Sequence, residues 1–349
     1  MLAQVVDAVI GVDTHRDTHE LELASPAGTP LATLRISNDS AGYQEFLSWA
    51  AERSPGPRIV VVIEGSRSYG VGLARAAAAT GLRVIESEQP SRTARRGRGK
   101  SDPIDAHLAV LYALRLDAGR LPQPRGDGDR EALRILLAAR TDLVTAQTAQ
   151  VNRLKALLRD GSDADKALAC KPLSAAALTA LARRRLPATA SRHRAVRQAE
   201  IRRLAIALRQ AAQERRRNRA QLQAIVDDLA PGLTSKPGIG AVTAAQVIIS
   251  FSHPGRCRSD AAFAALAGTS PVPASSGRTI RYRLNRGGDR ALNRAIHTIA
   301  LTRMRTCPAT RDYVTRRTAE GKTPREIRRC LKRYITRELY RSLTAAMAT

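Results

Sequence analysis

The chain has 349 residues and a formal net charge of +27, from 58 Lys and Arg against 31 Asp and Glu. Its length allows two or three domains with separate cores. No apolar stretch approaches the roughly 18 to 20 residues of a membrane-spanning helix, and the start of the chain lacks the pattern of a cleavable leader. The four cysteines lack the paired spacing of a zinc site or a disulfide framework. We therefore expect a cytoplasmic protein with reduced thiols and no membrane contact.

The positive charge is distributed unevenly along the chain. Residues 1–90 contain 11 Asp and Glu and 7 Arg, so the entire positive excess lies in residues 91–349. A surface of this kind attracts polyanions and releases their counterions on binding, which predicts a nucleic-acid partner. A solubility function or a ribosomal-type basic protein fits the same charge. Aromatic residues make up only 3% of the chain, so we do not expect base stacking to dominate recognition.

Residues 1–90 show the pattern of an α/β domain. Hydrophobic periodicity predicts strands over 5–13, 19–24 and 31–36, a helix over 41–52, a strand over 59–64, a helix over 71–80 and a strand over 83–86. This βββαβαβ order is that of the RNase H-like fold, in which the first and fourth strands lie side by side. Asp13 and Glu64, at the ends of those two strands, would then meet.

Four acidic residues form the candidate metal site. Asp13 and Glu64 each close a run of β-branched residues, where a carboxylate tolerates burial only beside a counter-charge. Asp102 and Asp105 lie three residues apart at the start of a predicted helix and so share one face. Carboxylates from separate places in the chain can hold two hard cations for phosphodiester cleavage. Taken singly, each acid also fits a surface or capping carboxylate, and the pair fits a helix N-terminus stabilised by its dipole.

Basic and helical segments follow the first domain. Arg95, Arg96, Arg98 and Lys100, in the loop before Asp102, are candidates for contact with a nucleic-acid backbone, with a solvated face as the alternative. A Pro- and Gly-rich linker over 121–129 leads to long helical patterns over 129–160 and 192–229. An antiparallel helical pair and an intermolecular coiled coil both fit these patterns. The stretch over 161–191 is ambiguous.

The last third of the chain contains a Gly-rich turn and a serine loop. Pro237-Gly238-Ile239-Gly240 resembles a helix-hairpin-helix turn, in which Gly238 and Gly240 would offer backbone N–H groups to a phosphate. A tight connection between two core helices is the alternative. Further on, Ser275 and Ser276 precede Gly277, and Arg278 and Arg281 follow. Most Ser-Ser-Gly triplets are flexible turns, so the serines alone are weak evidence for a nucleophile.

The motifs together resemble one family from end to end. In order and approximate spacing they resemble those of the DEDD transposases of the insertion-sequence one-ten (IS110) family. The matching segments are Gly11-Val12-Asp13, Ile63-Glu64-Gly65-Ser66, the stretch over 100–106, the turn over 237–240, the stretch over 263–268 and Ser276-Gly277. The resemblance implies a RuvC-like DEDD catalytic domain over 1–125, a helical coiled-coil region over 126–230, and a mainly helical C-terminal transposase domain over 231–349 that contains the helix-hairpin-helix and the serine loop.

The resemblance also implies a mechanism and partners. In such a recombinase Asp13, Glu64, Asp102 and Asp105 hold Mg²⁺, with two ions per site, and Ser276 attacks the DNA phosphate to form a phosphoserine intermediate. Donor and target DNA are recognised with a structured noncoding RNA, the bridge RNA, and dimers or tetramers build composite active sites. A cytoplasmic, nucleoid-associated enzyme follows. A serine needs activation, and Arg278 or Arg281 would stabilise the phosphoryl oxygens.

Two departures and two rival functions accompany this interpretation. Ser275 stands beside Ser276, so the nucleophile could be displaced by one residue, and Pro103 separates the paired acids, although proline is tolerated in a first helical turn. The rivals are a RuvC-like Mg²⁺-dependent nuclease that uses water, with the two serines as a phosphate-binding loop, and a non-catalytic nucleic-acid-binding protein on an RNase H-like scaffold.

Overall fold

The computed structural model describes residues 1–87, 102–119, 121–185, 190–273, 282–283, 285 and 287–347, and for Asp102, Pro103 and Tyr282 it describes only the backbone. The chain divides into two compact units. The first unit comprises Met1–Ala132, Ile248–Arg294 and Gly321–Thr349, and the second comprises Leu133–Val247 and Ala295–Glu320. Within the described ranges, no helix has the length and apolarity needed to cross a membrane. The three-segment domain division stays a prediction.

A mixed five-stranded sheet forms the N-terminal part of the first unit. Its strands are β1 (Ala8–Thr14), β2 (Thr18–Ala24), β3 (Pro30–Ser37), β4 (Ile59–Glu64) and β5 (Arg83–Ser87), in the order β3-β2-β1-β4-β5. β1 runs antiparallel to β2 and parallel to β4, so the predicted neighbourhood of the first and fourth strands is confirmed. The helices that accompany the sheet are α1 (Ser40–Arg53), α2 (Val71–Ala79) and α3 (Asp102–Leu114).

The first strand begins at Ala8 rather than at residue 5. Leu2–Gln4 form a short 3-10 turn, and the carboxylate of Asp7 accepts hydrogen bonds from the backbone N–H and the guanidinium of Arg58, at 2.9 and 2.5 Å. The hydrogen bonds and charge of Arg58 hold the pKa of Asp7 below its ordinary value. Asp7 therefore joins the entry of β1 to the residue before β4.

The two faces of the sheet bury different side chains because residues alternate along each strand. On one face Ile10, Val12 and Ile63 pack with Phe46 of α1 and Leu73 of α2. On the other face the alternate strand positions pack with α3; this set contains Val9, Val60, Val62, Ala109 and Val110. The strands are therefore covered by helices on both faces, which explains why β1 and β4 read as continuous apolar runs.

The remaining elements are mainly helical. They are α4 (Gly128–Arg159), α5 (Asp163–Cys170), α6 (Ala175–Arg183), α7 (Arg192–Leu229), α8 (Ala241–Phe251), α9 (Asp260–Leu266), β6 (Val272–Pro273), β7 (Tyr282–Arg283), α10 (Arg290–Thr306), α11 (Pro308–Ala319) and α12 (Pro324–Ala346). In the first unit, Phe251, Phe263 and Tyr340 form an aromatic cluster with ring centroids 5.8 to 6.0 Å apart, which joins α8, α9 and α12.

In the second unit, α4 and α7 lie side by side and run antiparallel. Asn218 donates to the carbonyl of Leu136 at 2.9 Å near one end, and Arg197 donates to the carbonyl of Asp160 at the other. The intervening faces bury leucines of both helices against α5 and α6. The ambiguous stretch over 161–191 thus contributes two short helices. A coiled coil between chains stays a prediction.

Candidate functional site

Asp13 and Glu64 end two adjacent parallel strands at the same edge of the sheet. Val12 is the register partner of Ile63, and each is followed by its acid. Because side chains alternate, Asp13 falls on the face of Val9 and Gly11, and Glu64 on the face of Val60 and Val62. This is the face that α3 covers. Asp13 is only 8% exposed.

The third acid reaches this face through α3. The C-terminal end of α3 lies beside the start of the chain, where Leu2 donates its N–H to the carbonyl of Leu116 at 2.8 Å. The N-terminal end of α3 therefore lies toward the carboxyl end of β1. Asp105 is 8% exposed there. Asp102 begins the helix, but its side chain lies outside the described part of the chain.

A glycine allows this close approach of helix and strand. A Cβ atom at Gly11 would stand 2.2 Å from the carbonyl oxygen of Ala106 and 2.7 Å from Cγ2 of Val110. Any larger residue at position 11 would push α3 away from β1. Ala106 follows Asp105, so the contact sets the height of Asp105 above the strand.

A second glycine fixes the ends of β1 and β4 to each other. Gly65, directly after Glu64, has φ +71°, a conformation that favours glycine. The hydroxyl of Thr14 donates to the carbonyl of Glu64 at 2.8 Å, and a Cβ at Gly65 would come within 2.8 Å of that hydroxyl. The residues after Asp13 and Glu64 thus hold the two strand ends together.

Asp13 and Glu64 lie on the sheet face that α3 covers, and Asp105 is a residue of α3 itself. Within the described residues, no three His, Cys, Asp or Glu side chains meet in a group that could hold a metal ion. Asp13 Oδ2 instead lies 3.2 Å from Nε2 of His15. The donor set of carboxylate oxygens matches the ligands that Mg²⁺ prefers.

Two further residues belong to this face and were missed by the sequence analysis. Nδ1 of His107 lies 2.6 Å from Oε1 of Glu22, whose residue is 6% exposed. Glu22 is the register partner of Gly11, and His107 lies two residues after Asp105. The alternation along β2 could have placed Glu22 on the α3 face. Its pairing with His107, 85 positions away, required the packed helix.

A second charged cluster lies beside the sheet in the same unit. Arg125 donates two hydrogen bonds to the carboxylate of Glu86, at 2.6 and 2.7 Å, and Arg67 lies 3.6 Å from it. Burial would raise the pKa of Glu86, but the hydrogen bonds and charges of the two arginines outweigh it and hold the pKa below its ordinary value. Glu86 is thus a buried carboxylate compensated by guanidinium groups.

Two further arginines of the same unit bind the end of α8. Arg130 donates to the carbonyl of Ile249 at 3.2 and 3.3 Å, and Arg256 donates to the carbonyl of Ser250 at 2.6 Å. The last carbonyls of a helix lack partners within it, and cations stabilise that end. Burial, reinforced by neighbouring arginines, lowers the pKa of Arg130 to about 10. For His253, burial and the nearby arginines lower the pKa to about 4.

The predicted Gly-rich turn connects α7 to α8, and its two glycines differ. Gly238 has φ +76°, and a Cβ there would stand 3.0 Å from the carbonyl oxygen of Ile299 in α10. Nε of Arg303 also donates to the carbonyl of Pro237 at 2.7 Å. Gly240 has nothing within 4 Å of its Cβ position, and its N–H donates to the hydroxyl of Thr243 at 3.1 Å. Gly238 fits the tight connection, while phosphate binding by either glycine stays a prediction.

The remaining predicted residues lie outside the described part of the chain. They are Ser275 and Ser276, with Arg278 and Arg281, and in the basic loop Arg95, Arg96, Arg98 and Lys100. The chain on either side of 274–281 is described: β6 and β7 pair antiparallel, with Val272 opposite Arg283. Both strands belong to the first unit.

Comparison with known proteins identifies the family. Residues 10–161 match a DEDD transposase model of the IS110 type, described as "Transposase", and residues 230–315 match the model "Transposase IS116/IS110/IS902 family". The first match contains Asp13, Glu64, Asp102 and Asp105, and the second contains the Gly-rich turn and Ser276. The two models thus cover the α/β sheet region and the serine region in the order that the motifs predict.

Three curated relatives share parts or most of the chain. The "Mini-circle putative transposase for IS117" of Streptomyces coelicolor is 34% identical over 159 residues, which are 43% of this chain and 37% of the relative. The "Insertion element IS110 uncharacterized 43.6 kDa protein" of the same organism is 37% identical over 123 residues, 34% of this chain and 30% of the relative. The matched part therefore spans only about a third of each of these two proteins.

The third relative matches over a longer range. The "Insertion element IS900 uncharacterized 42 kDa protein" of Mycobacterium paratuberculosis is 26% identical over 361 residues, with 89% of each chain covered. The four acids of the candidate metal site and the sequence segment that contains Ser276 fall within the two family matches. The motif-based prediction is thereby confirmed, and the chain belongs to the IS110 family of transposases.

Proposed function

We propose that this protein is the transposase of an insertion element and recombines DNA by phosphoryl transfer. One observation carries the proposal. The parallel pairing of β1 and β4 makes the strand ends that carry Asp13 and Glu64 neighbours, and the close approach of Gly11 to Ala106 packs α3, which carries Asp105, against the same face of the sheet. Asp13 and Asp105 are buried and Glu64 is partly buried. Acids from three separate chain segments on one side of a RuvC-like, RNase H-like sheet suit the binding of a metal and a phosphodiester better than they suit stability.

Asp13, Glu64, Asp102 and Asp105 would hold divalent metal, which we take to be two Mg²⁺ ions per site. Bound there, the ions would stabilise negative charge on the phosphate and the leaving oxygen and activate the attacking group. The chain's own contribution is to place these carboxylates. Gly11 and Gly65 fix the backbone around them, and the pair of Glu22 and His107 anchors α3 to β2.

Ser276 is the proposed nucleophile, with Ser275 as the alternative one residue away. Its Oγ would form a bond to the DNA phosphorus while the phosphorus–oxygen bond to the departing strand breaks, and the departing oxygen would take up a proton. The phosphoserine ester would store the bond energy until a hydroxyl of another strand displaces the serine. Arg278 and Arg281 would stabilise the phosphoryl oxygens. Water in place of serine would only cut the strand.

Partners follow from charge and from the family. Donor and target DNA and a bridge RNA would bind the basic part of the chain, in which Arg95, Arg96, Arg98 and Lys100 would contact the backbone. Gly240, open at the start of α8, would approach a phosphate as part of a helix-hairpin-helix. The protein would assemble as a dimer or tetramer with composite active sites and with coiled-coil contacts through the central helices. It would associate with the nucleoid.

A cleavage assay on DNA containing the joined ends of the element tests this proposal. We expect a protein–DNA adduct that survives denaturation and disappears in Ser276→Ala, with Ser275→Ala as the matched control. Cutting that persists in Ser276→Ala without an adduct would instead indicate a nuclease that uses water. Binding without any cutting would indicate a non-catalytic nucleic-acid-binding protein.

A further inference from the structure

A basic cavity lies within the first unit, between α12 and the residues that flank β6 and β7. Its volume is about 670 Å³. Its described lining consists of residues 268–271, Arg283 and Asn285, of Lys322, and of residues of α12 between Glu326 and Arg337. The described residues on both sides of the serine segment therefore contribute to the cavity wall.

The lining is strongly cationic. Six of its residues carry a positive charge, namely Arg283, Lys322, Arg329, Lys332, Arg333 and Arg337. Among the described lining residues only Glu326 is acidic, and its carboxylate already caps α12 by accepting from the N–H and hydroxyl of Thr323 at 2.9 and 2.7 Å. Outside the lining, Asp260 lies 3.8 Å from Arg333 and 3.1 Å from Arg337. Among the described lining residues, six cations therefore stand against one acid.

Two of these cations are partly removed from water. Burial lowers the pKa of Lys332, whose ammonium donates to Oδ1 of Asn293 at 2.6 Å. Burial, followed by the charge of Arg337, lowers the pKa of Arg333. Partly dehydrated cations close together are destabilising unless an anion compensates them. The cavity is therefore suited to a ligand that carries several negative charges.

The arrangement along α12 matches an extended polyanion better than a single small anion. Arg329, Arg333 and Arg337 recur every four residues, so they are spaced about 6 Å apart along one face of the helix. Tyr334 also lines the cavity and is 54% exposed. A groove with repeated cations and an exposed ring is the arrangement that binds unpaired nucleotides, by phosphate contact and base stacking.

We propose that this cavity binds an unpaired polynucleotide strand, with its phosphates along Arg329, Arg333 and Arg337 and a base stacked on Tyr334. A cavity of about 670 Å³ would hold a short stretch of such a strand. The inference rests on the proposed function insofar as the bound strand is the one presented to the serine segment. DNA and RNA share the recognised chemistry, so the source of the strand is decided by the test.

The test uses the full chain and fluorescently labelled oligothymidine and oligouridine of about ten nucleotides, with a hairpin duplex as the third probe. We expect Tyr334→Ala to weaken binding of a single strand about tenfold, equivalent to ~1.4 kcal/mol, and to leave duplex binding unchanged. Tyr334→Phe keeps the ring and should restore the affinity. The probe that responds more strongly to Tyr334→Ala identifies DNA or RNA as the strand.

A pair of arginine variants separates the cavity from the general positive charge. Arg329→Ala should weaken single-strand binding and reduce the slope of log K against log salt by about 0.7. Arg341→Ala removes the same charge from the same helix, outside the cavity lining, and should have little effect. Equal losses in both variants, with no effect of Tyr334→Ala, would overturn the inference.

A crosslinking measurement on the unaltered chain tests the inference without relying on variants that could misfold. An oligonucleotide carrying 5-iodouracil should crosslink to Tyr334 on irradiation, as identified by peptide mass spectrometry. Crosslinks only at other positions would overturn the inference.

Failure of the inference can be told apart from failure of the proposed function. If the unaltered protein forms the serine adduct while Tyr334 does not crosslink, only the cavity assignment fails; if Tyr334 crosslinks but no adduct forms on element DNA, only the recombinase fails.

Discussion

Gly11 of β1 and Ala106 of α3 approach each other so closely that a Cβ at position 11 would stand 2.2 Å from the carbonyl oxygen of Ala106. This contact lies two residues before Asp13 and one residue after Asp105. The backbone of one acid-bearing segment thus rests directly on the backbone of another. Because glycine has no Cβ, α3 can pack this closely on β1, and this packing distance sets the position of Asp105 relative to Asp13.

The first prediction concerns this contact. Gly11→Ala should displace α3 and destabilise the first unit by about 1–3 kcal/mol, because the added methyl cannot be accommodated by a rigid carbonyl. Strand cleavage should be lost while DNA binding is largely kept. Thermal unfolding and a cleavage assay measure the two effects. Gly119→Ala, where the nearest atom to the Cβ position is 3.6 Å away, is the control. Unchanged cleavage in Gly11→Ala would show that the height of α3 is unimportant.

The second prediction concerns the acids. Asp13→Ala and Glu64→Ala should each lower strand cleavage by more than about a hundredfold, since several kcal/mol of charge stabilisation would be lost, with DNA affinity largely intact. A chelator added to the unaltered protein should have the same effect. Glu45→Ala, which removes an exposed acid of α1, serves as the control. Normal turnover in either active-site variant would refute the metal site.

The third prediction concerns the pair formed by Glu22 and His107. His107→Ala leaves a buried carboxylate without this partner, so we expect a loss of about 1–3 kcal/mol in the free energy of unfolding. Glu22→Gln should lose less, because a neutral amide is cheaper to bury. A double-mutant cycle on the full chain should give a coupling of about 0.5–3 kcal/mol. Additive effects of the two substitutions would mean that the short contact contributes nothing to stability.

The fourth prediction concerns pH. His253 faces Arg125, Arg130, Arg256 and Glu86, and its pKa is about 4 in the folded protein against the ordinary 6.5. The unfolded chain therefore binds a proton at higher pH than the folded chain, and stability should fall as pH drops from about 6.5 toward 4. The expected loss is about 2 kcal/mol after allowance for partial exposure.

The control for this prediction is His253→Gln, which cannot titrate and should flatten the curve of unfolding temperature against pH between 6.5 and about 4.5. Glu86 adds a separate decline at lower pH. Its folded pKa is depressed, so its contribution is present above its ordinary value of 4.5 and is lost as pH falls through the folded pKa. Identical profiles for the variant and the unaltered protein would contradict the role of His253.

The sequence by itself determined the sheet and the identity of its acid-bearing strands. Alternation and β-branched runs located all five strands, because a side-chain period of two is a local property that does not depend on distant contacts. The other strand ends agree to within one residue, and the one larger difference is the start of β1, at Ala8 instead of residue 5, where Asp7 is held by Arg58. The motifs around Asp13, Glu64 and the serine segment were sufficient to identify the family.

Only the tertiary structure decided how distant segments meet. His107 pairs with Glu22 across 85 positions and Arg130 reaches Ile249 across 119, and no local pattern encodes either contact. Three other features also depend on distant contacts. They are the packing of Gly238 against α10, the antiparallel pairing of α4 with α7, and the basic cavity beside α12. Each depends on which helix faces pack together, and that is settled by burial and shape over the whole unit rather than by neighbouring residues.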